Sequence, residues 1–122
     1  MNRQQFFDTA IAGIIAQGGP SIDDKGNCLY RAPDGCKCAL GHLIADEDYD
    51  PDFEDKVPST AASSHPLNLA LGLTTFEDRN FAAALQGVHD CASKLPDFMP
   101  AFIAEAEDFA GRHELAWNHG NA

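Results

Sequence analysis

Large apolar side chains recur at helical spacing in three long stretches of the chain. The first is Phe7, Ile11 and Ile14, widened by Phe6, Ala10 and Ile15, which predicts a helix over residues 3–17. Asn2 can cap its start, and Gly18-Gly19-Pro20 ends it. The second runs through Phe81, Leu85 and Val88, opened by the capping-box pair Thr74 and Glu77 and extending to about Lys94. The third carries Phe98, Phe102, Ala106 and Phe109, with Asp97 as its cap and Pro100 in the tolerated first turn. Gly111 ends or frays this helix, and Trp117 is expected to fold back over the core from a frayed tail spanning 112–122.

Between these stretches the pattern changes. Residues 20–27 are polar and turn-forming. Cys28-Leu29-Tyr30-Arg31 reads as a short strand and Ala32-Pro33-Asp34-Gly35 as a tight turn. Cys36-Lys37-Cys38 either returns as a second strand or leads into a short helix over 37–45, where Leu40, Leu43 and Ile44 fall. Residues 46–64 carry no apolar period and read as a long acidic loop, a length that in a compact domain usually marks function or disorder. A brief helical stretch follows from His65-Pro66 through Leu67, Leu69, Leu71 and Leu73. The fold class is therefore mostly α: four to five short helices with one small β-hairpin or extended turn near residues 28–38. At 122 residues the chain 1–122 is expected to form a single domain.

Charge changes the picture more than composition does. With 19 acids against 8 basic residues the net charge is −11. Direct nucleic-acid binding is disfavoured, since phosphate affinity comes from Lys and Arg releasing counterions, and anionic membranes are disfavoured for the same reason. A protein partner with a basic surface would be attracted. No stretch reaches the roughly 18 apolar residues of a membrane span. Phe6-Phe7-Asp8 near the start lacks the apolar run of a signal peptide, so the chain is expected in the cytoplasm, that of a host cell. In that compartment Cys28, Cys36, Cys38 and Cys91 are expected as thiols or ligands, not disulfides.

The most individual segment is Cys28-Leu29-Tyr30-Arg31 followed by Gly35-Cys36-Lys37-Cys38-Ala39-Leu40-Gly41-His42-Leu43-Ile44, with Tyr49 nearby and Leu85-Gln86-Gly87-Val88-His89-Asp90 further on. Over residues 4–91 it resembles a family of small proteins encoded by phages, prophages and related mobile elements. Members of that family carry a Cys-x-Tyr-Arg turn, a Lys-Cys-Ala-x-Gly-x-Leu-Ile run and a Leu-Gln-x-x-His-Asp element. The resemblance implies a phage or prophage origin and brings no established activity, so no catalytic role carries over. Cys36 and His42 depart from the family pattern.

Three sites compete for these residues. Cys28, Cys36, Cys38 and His42, joined by His89 or Cys91, have the donor types of a zinc site, but Cys36-x-Cys38 is tighter than the usual knuckle spacing. Cys38 near a helix start, with His89 as base and Asp90 beside it, has the ingredients of a thiol enzyme. Adjacent His and Asp on one helix are nevertheless expected to point apart. The third is the run Asp46, Glu47, Asp48, Tyr49, Asp50, Pro51, Asp52, Phe53, Glu54 and Asp55, seven acids in ten residues. It fails as a calcium loop, because the sixth and twelfth positions counted from Asp46 are Pro51 and Val57 where the EF-hand needs Gly and Glu.

The leading expectation is a non-enzymatic accessory protein, without cofactor, whose acidic run binds a basic host protein. In its most specific form it inhibits a nucleic-acid-directed defence system such as a CRISPR effector. The alternative, from a different class, is a metal- or thiol-dependent protein centred on Cys28, Cys38 and His89.

Overall fold

A computed structural model describes residues 2–120. Four α-helices carry the architecture: α1, Arg3–Gln17; α2, Pro66–Ala70; α3, Phe76–Ala92; and α4, Phe98–Arg112. Three short 3-10 turns, Leu40–Leu43, Asp46–Asp48 and Pro51–Asp55, occupy the long connection between α1 and α2. The fold is mostly helical, as the apolar periodicity predicts. Among the described residues no strand forms. Isolated antiparallel bridges pair Ile22 with Cys28 and Arg31 with Lys37, so residues 28–38 take the extended-turn form. No helix among these residues is long and apolar enough to cross a membrane.

α1 begins with a capping box: the Asn2 side chain accepts from the Gln5 backbone N–H, and the Gln5 side chain accepts from that of Asn2. It ends at Gly18 in the left-handed conformation, φ 79°. Its stripe of Phe6, Phe7, Ala10, Ile11 and Ile14 is buried. Phe7 stacks on Phe109 at 5.8 Å and Phe81 tilts against Phe109 at 5.4 Å, so one ring from each long helix meets in the core. At α3 the cap sits one residue later than the sequence pattern indicates. The Thr75 hydroxyl accepts from the Asp78 N–H, while the Asp78 carboxylate turns outward to Arg3. Asp97 makes no side-chain cap at α4, which relies on its apolar face instead.

The tail differs from its expected fraying. Gln4 exchanges two hydrogen bonds with the Ala116 backbone, at 3.0 and 2.8 Å, and Asp8 receives Asn118. Trp117 lies edge-on to Phe7 at 6.3 Å, covering the core as its amphipathic ring suits. Residues 121 and 122, part of the tail expectation, lie outside the described residues.

Candidate functional site

The segment 28–44 is held against the helices by polar side chains that receive or donate to its backbone. Ser21 is fully buried, its hydroxyl 2.7 Å from the Leu29 carbonyl and 3.1 Å from that of Cys36. Gln17 at the end of α1 binds both backbone groups of Lys37, accepting its N–H at 2.7 Å and donating to its carbonyl at 2.9 Å. Gln86 on α3 accepts from the Leu40 N–H at 3.0 Å. The Cys38 sulfur accepts from the Gly41 N–H at 3.3 Å. A Cβ at position 41 would run into the Tyr30 carbonyl oxygen, so the Cys38–Gly41 turn closes on Tyr30 only with glycine there.

On one side of this turn lies the acidic run. Glu54 works inward: one carboxylate oxygen accepts the Tyr30 N–H at 2.7 Å, the other accepts the Arg31 N–H at 3.2 Å and the Tyr49 hydroxyl. Burial and the Glu54 carboxylate together push the Tyr49 phenol up to about 12. Arg31 lies over the Tyr49 ring at 4.8 Å, donates to the Ile44 carbonyl at 2.7 Å and pairs with Asp46 at 2.7 Å. Tyr30 donates its hydroxyl to the Lys56 carbonyl at 2.6 Å. Phe53 is 2% exposed and sits against Tyr49 and His65. Residues 46–55 are thus a pinned pair of 3-10 turns, with Phe53 and Glu54 turned in and Asp46, Glu47, Asp48, Asp50, Asp52 and Asp55 exposed.

On the other side lies the Leu-Gln-x-x-His-Asp element. His89 is fully buried, and its Nε2 accepts the Ser21 N–H at 3.0 Å. That assigns the proton to Nδ1, which donates to Asp90 at 3.0 Å. Adjacent His and Asp do meet here, contrary to the sequence expectation. The imidazole is anchored at its far nitrogen by a loop, and this turns Nδ1 toward the neighbouring carboxylate. Gln86 donates to the same Asp90 oxygen at 3.0 Å. Burial pushes the Asp90 carboxyl up, but hydrogen bonds from His89, Cys28 and Gln86 outweigh it and hold it below the usual aspartate range.

These contacts bear on both chemical alternatives. Cys38 is completely buried, and burial drives its thiol far up, the opposite of what a nucleophile needs. Both His89 nitrogens are engaged, leaving none for Cys38. Cys28, Cys36, Cys38 and His42 are not gathered into a ligand set among the described residues. The group that does assemble is Cys28, His89 and Asp90, with ligand atoms within 4.8 Å of one another. A metal on His89 Nδ1 would force the proton onto Nε2, facing the Ser21 N–H, so this arrangement suits a hydrogen-bonded cluster better than an ion. Cys28 lies 3.1 Å from the Ser93 hydroxyl, and burial raises its thiol. Among the described residues Cys36 and Cys91 join no such group, and His42 packs against Gly13 of α1, where a Cβ would collide with its ring.

Between Asp90 on α3 and the pinned segment 54–57 runs a cleft of about 250 Å³. Cys28, Tyr30 and Gly87 line it as well. Sequence reasoning missed Ser21, Gln17 and the inward role of Glu54; Gln86 had a signal, its place in the Leu-Gln-x-x-His-Asp element. Comparison with protein-family models, curated proteins and solved structures found no match.

Proposed function

We propose that the protein is a non-enzymatic binding protein whose exposed acids of residues 46–55 engage a basic surface on a protein partner. The observation that carries this reading is the division of labour within the run. Glu54 and Phe53 pin the backbone, while six acids stay exposed around it. Two of the six are partly neutralised, Asp46 by Arg31 and Lys37 and Asp55 by Lys56. Glu47, Asp48, Asp50 and Asp52 form no ion pair among the described residues, and a net charge of −11 adds a long-range field of the same sign. A pinned acidic face meets a basic groove without the ordering cost of a loose loop. The narrower form takes the partner to be a nucleic-acid-binding protein of a defence system, with the acidic face standing where phosphates would lie. It rests on charge and on the phage-type resemblance.

The test is affinity capture from host lysate, in parallel with wild type and with the Glu47→Gln, Asp48→Asn, Asp50→Asn, Asp52→Asn variant. Each amide keeps its side chain's shape, and Asn at position 50 keeps the oxygen that accepts the Asp52 N–H. Basic proteins held by wild type and lost by the variant support the reading. Identical retention by both refutes it.

A further inference from the structure

The cleft beside Asp90 holds features that the fold itself does not use. Gly87 lies in the interior of α3, where glycine weakens a helix. A Cβ there would meet nothing within 4 Å, so no neighbouring protein group requires the glycine. The space it leaves opens onto the cleft, which Gly87 lines together with Asp90. Asp90 takes both of its nitrogen donors, Gln86 Nε2 and His89 Nδ1, on Oδ1, and neither on Oδ2. Its side chain is 40% exposed although His89 beneath it is fully buried. The Cys28 thiol adds a third hydrogen bond to this carboxylate, so a part-exposed group oriented by Gln86, Cys28 and the buried His89, with Oδ2 taking neither nitrogen donor, is a preorganised acceptor. Tyr30, Leu29 and Val57 line the cleft together with Asp90 and Glu54, and such a lining suits a planar, weakly hydrated cation better than a compact ammonium. Lys56 is the basic residue lining the cleft, and its ammonium is turned to Asp55 at 2.9 Å.

We propose that this cleft binds a guanidinium group, such as an arginine side chain of the partner, between Asp90 and the segment 54–57, with Gly87 leaving the room it occupies. The inference rests on the acidic-face reading for its source of arginine, because the cleft borders the pinned acidic run. It does not rest on that reading for the chemistry.

The probe is agmatine, titrated into the isotopically labelled full chain and followed by amide chemical shifts. The expected result is a saturable shift centred on Gly87, Asp90 and Tyr30. Asp90→Asn should weaken it roughly tenfold, the loss of one charge-assisted contact. Gly87→Leu should remove saturation while leaving the melting temperature equal or higher, since leucine is the better helix former. This second variant keeps the test decisive if Asp90→Asn loosens the His89 contact. Shifts spread over the acidic run without saturation, or saturation unchanged in Gly87→Leu, would overturn the proposal. Agmatine needs no protein partner, so its failure to bind leaves the acidic-face reading intact. Saturable binding alongside a failed capture experiment would refute only the acidic face.

Discussion

His42 shows how a single side chain can depart from its sequence reading. Its donor type placed it in a zinc set, but in the fold its ring fills the space above Gly13, and its Nε2 is buried without a partner among the described residues. Burial, with Lys37, His89 and Arg31 adding, holds the imidazole below its ordinary 6.5. In the unfolded chain it titrates near that ordinary value, so between the two values the unfolded state carries the extra proton. Its contribution to stability is complete above about 6.5 and is lost as pH falls through the window below it. Urea midpoints measured from pH 7.5 down to 5 should decline, and the decline should be shallower in His42→Asn, with His113 supplying part of what remains because its imidazole is also lowered by burial. An identical slope in the variant would show that His42 is not the group responsible. Cys38 is the simpler case: a free thiol in a helical protein is most often a small buried side chain, and here it is one.

At the scale of elements, the three long helices were legible because burial imposes a period on them. The Phe7, Phe81 and Phe109 stripes follow from spacing alone, and their rings meet. What spacing could not give was the order of residues 46–57. Besides the lone Phe53, its stabilising groups are a glutamate, two tyrosines and an arginine, and this set leaves no hydrophobic period. In sequence Glu54 is one more acid of a charged run, because an inward and an outward carboxylate look alike there. The tail was similarly opaque, since Gln4 and Asp8 on α1 tie it down through backbone and amide contacts. Glu54→Gln tests the pinning. Both carboxylate oxygens accept backbone N–H groups, so an amide must set one NH₂ against a donor. The variant should lose about 1–3 kcal/mol and show faster hydrogen exchange at Tyr30 and Arg31. Unchanged protection of those two amides would mean that Glu54 does not pin the segment, which Phe53, Tyr30 and Arg31 would then hold without it.

For the whole molecule, the helices serve as a scaffold and one end of the bundle gathers the distinctive residues. The Cys-x-Tyr-Arg turn, the Lys-Cys-Ala run and the Leu-Gln-x-x-His-Asp element, separate in sequence, converge there through Ser21, Gln86 and Glu54. The chain's charge is then presented from a fixed surface. Charges of this kind act mainly on association rate and on salt dependence, through a field screened over about 8 Å near 0.15 M ionic strength. The most direct measurement is the association rate of a captured partner with wild type and with the Glu47→Gln, Asp48→Asn, Asp50→Asn, Asp52→Asn variant, each at two salt concentrations. The wild-type rate should fall steeply as salt rises, and the variant should be slower with a flatter slope. Equal rates and equal slopes in the two proteins would contradict it, reducing the acidic face to solubilising charge.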